Sequence, residues 1–150
     1  MMLKAGTWLV PTLVAPVAVL DAVKNGAQLP DGVVVKARQV IEAHQASFAR
    51  AVAAGVKVAM GTDSGVGPHG SNLDELSLMA PGGMAPEDVL VATTSSAAGL
   101  LGVGDQAGSL SPGKRADVVV VAGDPFNLAA LKQSIRAVYK DGRAVRGQLA

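Results

Sequence analysis

The feature that most constrains this chain is an amphipathic helical stripe that runs without a gap into a short apolar strand. Ala37, Ile41, His44, Phe48, Ala51 and Gly55 recur at offsets of 0, 4, 7, 11, 14 and 18, which puts them on one helical face. Gly55 is a natural stop, because a glycine takes the left-handed conformation that ends a helix without a Cβ penalty. Val56-Lys57-Val58-Ala59-Met60-Gly61 follows at once and reads as a strand. Helix, glycine, short buried strand is the rhythm of an α/β parallel sheet. The strand gives way to Thr62-Asp63-Ser64-Gly65, a polar loop kept irregular by Gly65, Gly67, Pro68 and Gly70.

Other segments fit the same reading. Thr7 to Val10 suits a strand ended by Pro11, which has no N–H to give a ladder. Ala15 to Val35 is mixed, with turn signals at Asn25-Gly26 and Pro30-Asp31-Gly32. Asn72 followed by Glu75 fits a capping box opening a short helix with Leu73, Leu76 and Met79. Pro86-Glu87-Asp88 opens another helix, with proline at the first position and acids at the positive dipole end. Beyond residue 104 the character changes. Ala116 to Ala122 holds four consecutive valines and reads as a buried strand. Ile135 to Lys140, Asp141-Gly142 and Arg143 to Val145 read as a hairpin with a type I′ turn. Charge shifts as well: residues 1–110 carry 6 basic and 9 acidic groups (net −3), and residues 111–150 carry 7 and 3 (net +4). We place a boundary at about 104, giving segments 1–104 and 105–150.

Composition removes several functions. A chain of 150 residues with a net charge of +1 and 3% aromatics offers neither the basic surface nor the stacking platform that nucleic acid needs. Zero cysteines exclude disulfides, thiolate metal sites and a cysteine nucleophile. Leu9 to Leu20 is too short to span a membrane and contains two prolines. Met1 to Ala22 faintly resembles a signal peptide, but Trp8 to Leu13 reads better as a strand entering a loop. The expectation is a cytoplasmic protein with no nucleic-acid or membrane partner.

The candidate for chemistry is Asp63. In parallel α/β barrels, a polar residue at the carboxyl end of a strand faces the active site. A carboxylate at the rim of a core is costly unless it is paired, hydrogen-bonded or metal-bound. The bland alternative is an Asp that caps a loop. His69 lies six residues on, where it either faces the same mouth or is solvated. His44, on the apolar face of the helix, reads as a buried, hydrogen-bonded structural residue. No G-x-S-x-G elbow and no G-x-x-x-x-G-K-[ST] phosphate loop occurs.

Taken together, "AAGVKVAMGTDSGVGPHGSNLDEL", "MAPEDVLVATTSSAAGLLGV", "GSLSPGKRADVVVVAGDPF" and "AVYKDGRAV" resemble the C-terminal part of the metal-dependent amidohydrolase superfamily, nearest to its imidazolonepropionase-like and Xaa-Pro dipeptidase-like members. The resemblance runs from about Thr7 to Val145. It implies an α/β fold: the C-terminal part of a (β/α)8 barrel, with Thr7–Leu13 as strand seven, Val56–Gly61 as strand eight, and Gly108–Val145 as strands of a small β-sandwich. It implies that Asp63 is both a metal ligand and the catalytic proton shuttle, and that His69 touches substrate. It implies zinc, one or two ions, as the cofactor. The metal would lower the pKa of a bound water and polarise the carbonyl of a small amide, cyclic amide or dipeptide.

The departure from the family pattern is large. Such sites need a His-x-His pair, usually a carboxylated lysine, and further histidines; this sequence has two separated histidines. Everything before strand seven is absent, so the chain resembles the last third of an enzyme: a truncated gene, a misassigned start or a cloned piece. Strands cut from a closed barrel leave pairing edges, and half a sandwich exposes its inner face. The expectation is a chain that is inactive alone and that needs the remaining barrel or oligomerises. The rival reading is a non-catalytic interaction module that kept the fold and lost the histidine ligands.

Overall fold

The computed structural model describes residues 1–147. It divides into two compact units, Met1–Met84 and Ala85–Ala150. The shift in composition near residue 104 lies inside the second of these.

In the first unit a one-turn helix α1 (Met2–Ala5) precedes strand β1 (Trp8–Leu9). Helices α2 (Val14–Lys24) and α3 (Asp31–Ala53) follow, then strand β2 (Lys57–Val58) and helix α4 (Asp74–Met79), which tightens into a 3₁₀ turn at Ala80–Gly82. β1 and β2 pair in parallel, Trp8 opposite Lys57 and Leu9 opposite Val58. A parallel pair cannot be joined by a hairpin, and α2 and α3 supply the crossover. The Lys57 ammonium lies 5.4 Å from the centre of the Trp8 ring across this pair.

α3 carries the stripe read from the sequence, but begins six residues earlier. Pro30-Asp31-Gly32 is its start rather than a turn, with Asp31 at the positive dipole end. α2 is a second correction, because Ala15 to Lys24 is helical where a mixed segment was expected. Pro16 misleads here: a proline in the first helical turn removes an N–H that has no intrahelical partner anyway. The Asn25-Gly26 signal is real and ends this helix. Phe48, the largest fully buried side chain, packs where a Cβ on Gly82 would collide with its ring. His44 is half-buried and its side chain makes no hydrogen bond among the described residues, so it is not the buried, bonded histidine its position suggested.

In the second unit, helices α5 (Pro86–Thr93) and α6 (Ser95–Leu100) lead through a turn-rich link to strand β3 (Val118–Val121). A single turn α7 (Leu131–Ser134) runs into β4 (Ile135–Lys140), and β5 (Arg143–Arg146) completes an antiparallel sheet in the order β3-β4-β5. Pro86 stands in the first turn of α5, with Glu87 and Asp88 beside it, as expected. Asp141 (φ 49°) and Gly142 (φ 76°) give the two positive dihedrals of a type I′ turn. That turn is docked on β3's approach: Asp141 N–H donates to Asp117 Oδ1 and Gly142 N–H to the Ala116 carbonyl, both at 2.9 Å. β3 departs from expectation, because none of its four valines is fully buried and Val119 is 57% exposed. Among the described residues it is an edge strand paired on one side only. No helix among the described residues is long and apolar enough to cross a membrane.

Candidate functional site

Both parallel strands run into loops at their carboxyl ends, and each loop holds a non-glycine residue at positive φ. After β1 it is Thr12 (φ 49°), and after β2 it is Asp63 (φ 48°). Such dihedrals cost about 1–3 kcal/mol and persist only where the surroundings over-determine them, which is typical of functional sites. The two loops touch. A Cβ on Gly61 would collide with Val10 Cγ1 and would lie 3.6 Å from Thr12 Cγ2, so only glycine lets the β2 chain run this close to the β1 loop.

Asp63 is exposed, and its carboxylate accepts no hydrogen bond among the described residues. Its carbonyl closes the loop by accepting from the Val66 N–H at 3.1 Å, and its neighbours Thr62 and Ser64 join through their hydroxyls at 2.9 Å. His69 is also exposed, and no hydrogen bond or ion pair joins it to Asp63 among the described residues. A cavity of about 420 Å3 lies beside the loop, lined by Ala18, Asp21, Val66, Pro68, Ser71 and Asp74 among others; neither Asp63 nor His69 lines it.

Sequence reasoning missed Glu75. Its expected capping box does not form: α4 starts after Leu73 and has no side-chain cap. The Glu75 side chain turns inward instead and is 0% exposed. Its Oε1 accepts from the Leu13 N–H at 2.8 Å and its Oε2 from the Val14 N–H at 2.7 Å. This accounts for the whole start of α2. Leu13 and Val14 give their N–H groups to Glu75, Ala15 donates to the Thr12 carbonyl at 3.2 Å, and Pro16 has no N–H. The carboxylate sits at the positive end of the α2 dipole. Burial pushes the Glu75 carboxyl above its ordinary value; the two N–H donors oppose this, and the charge of Asp63 adds to the rise. The sequence signal available was Leu13, an apolar residue where a helix needs a capping oxygen.

A divalent metal bound by side chains needs three or more ligands. Among the described residues no three of His, Cys, Asp and Glu gather in such a group. Asp63 offers a single free carboxylate, so residues 1–147 do not by themselves fit a metal ion.

The sequence matches the family described as "Amidohydrolase family" over residues 1–145. It is 32% identical to ochratoxinase of Aspergillus niger over 130 residues, which is 82% of this chain and 26% of that protein. It is 39% identical to imidazolonepropionase of Thermoplasma volcanium over 57 residues, which is 38% of this chain and 14% of that protein. The crystal structure of a Xaa-Pro dipeptidase with methionine bound in the active site superimposes with a TM-score of 0.87 at 35% identity, covering 97% of this chain and 36% of that one. The chain thus spans about a quarter of the curated ochratoxinase and about a third of the dipeptidase.

Proposed function

This chain belongs to the amidohydrolase family, and from that premise we propose that it is the C-terminal part of a metal-dependent enzyme that hydrolyses C–N bonds in small amides, cyclic amides or dipeptides. The chemistry of the named relatives supports the substrate class, since ochratoxinase, imidazolonepropionase and a Xaa-Pro dipeptidase are all similar to it. In this reading β1 and β2 are the seventh and eighth strands of a (β/α)8 barrel within residues 1–104, and β3 to β5 belong to a sandwich within 105–150.

The observation that carries the reading is Asp63, a free and exposed carboxylate on a strained backbone at the end of a parallel strand. A carboxylate there takes a proton from the attacking water on one Oδ and hands it to the leaving nitrogen. Asp63 would also be one donor to a divalent metal such as zinc where further donors complete the site. His69, on the same loop, contacts substrate.

Two measurements test this. An immunoblot of source cells against residues 141–150 gives the native mass. A band near roughly 40 kDa, the size of a full barrel with sandwich strands, is expected; one at 15.0 kDa requires a partner chain for catalysis. In the protein as isolated, Asp63→Asn removes both dipeptide hydrolysis and bound zinc. Retention of both by that variant overturns the reading and leaves the interaction-module alternative.

A further inference from the structure

We propose that Glu75 is a positioning residue for Asp63: by gripping the start of α2 from α4, it locks the two loops at the mouth of the parallel strands into one body. The inference rests on the reading of Asp63 as the reacting carboxylate.

The choice of Glu75 as a cap is what demands explanation. An oxygen-bearing side chain at position 13 would cap α2 locally. The chain instead places Leu13 there and buries a carboxylate from 62 positions away, in the field of a second acid. Burying that charge is unfavourable, and the arrangement achieves something a local cap cannot. Glu75 lies beyond the loop that carries Asp63, while Leu13 and Val14 lie beyond the loop that carries Thr12. Two charge-assisted hydrogen bonds at 2.8 and 2.7 Å fix the residue next to Thr12, which holds a left-handed backbone. Thr12 Cγ2 and Val10 Cγ1 form the wall against which Gly61 runs, and Asp63 follows two residues later. Glu75 thus closes a ring: α4, start of α2, Thr12, Gly61, Asp63. A carboxylate that must move a proton has to be held within a few tenths of an ångström, and such placement depends on its supporting contacts.

The test uses Glu75→Gln, which keeps the side-chain shape and one acceptor oxygen. NMR of the full chain reads the Cα and Cβ shifts of Thr12 and Asp63, which report a left-handed backbone. The expected result is that both move toward extended values in E75Q while the chain still unfolds cooperatively. If E75Q alters only Leu13 to Val17 and leaves Asp63 in place, Glu75 is a helix cap alone and the proposal falls. Glu75→Asp, too short to reach both N–H groups, provides a second variant with the same two outcomes. In the active protein E75Q lowers kcat by about 10–100-fold with KM within about twofold, the signature of a mispositioned reacting group. An equal rise in KM with unchanged kcat overturns the proposal. Should Asp63→Asn leave hydrolysis untouched while E75Q still displaces Asp63 by NMR, the coupling stands and the hydrolase reading alone fails.

Discussion

Glu75 and Asp141 are both acids beside a bend in the chain, and they are held in opposite ways. In the second unit Asp141 and Gly142 make a two-residue turn whose shape is dictated by the dipeptide itself, and the docking bond to Asp117 reaches back 24 positions within one antiparallel sheet. In the first unit the turn at Thr12 has no such local instruction. Its left-handed residue is a β-branched threonine, and its neighbours are tied to Glu75 from 61 and 62 positions away. The hairpin is built by backbone preference. The mouth of the parallel strands is built by a long-range ion–dipole contact that overrides preference.

This contrast can be broken or sharpened by substitution. The largest effect is expected at Asp63: under the proposed function, replacement by Asn lowers kcat by about a thousandfold, within the range for loss of a general acid–base. Next is Glu75→Ala, which leaves two buried N–H groups unpaired at about 1–3 kcal/mol each; urea denaturation should show a loss of about 3 kcal/mol or more. Gly82→Ala drives a methyl group into the Phe48 ring, and overpacking of this kind costs about 1–3 kcal/mol, read by the same denaturation. Gly142→Ala forces a Cβ onto a φ of 76° and costs about 1 kcal/mol, with no change in the amide resonances of Leu13 and Val14.

The smallest effect is in pH dependence. Because the Glu75 carboxyl is raised in the folded chain, the unfolded chain releases this proton first as pH climbs. The stability of the native protein relative to E75Q should therefore be greatest below the usual glutamate range. It should fall as pH rises through the raised value, then level off. A relative stability that instead increases over that interval would show that the two N–H donors outweigh burial.

Much of the fold was legible where a local rule acts alone. The stripe from Ala37 to Gly55, the proline-led α5 and the Asp141-Gly142 hairpin all follow from spacing or backbone preference. α2 was hidden because Pro16 reads as a breaker, and its permitted place in the first turn shows only once the helix start is known. The valines of β3 read as buried, but how much of a strand is covered depends on which neighbours it pairs with. At the candidate site, Asp63 was legible as a lone acid after an apolar run. Glu75 was not, since Asn72 and Glu75 match a local capping box whose energy is small beside two charge-assisted bonds to Leu13 and Val14.

By itself the sequence determined the stripe of α3, the proline-led start of α5 and the Asp141-Gly142 turn, because those preferences act over a few residues. Only the tertiary structure decided which oxygen caps α2, which residues hold left-handed strain, and how the two loops at the strand ends meet. Those outcomes depend on contacts between residues about 50 to 60 positions apart, and no short window of sequence contains both partners.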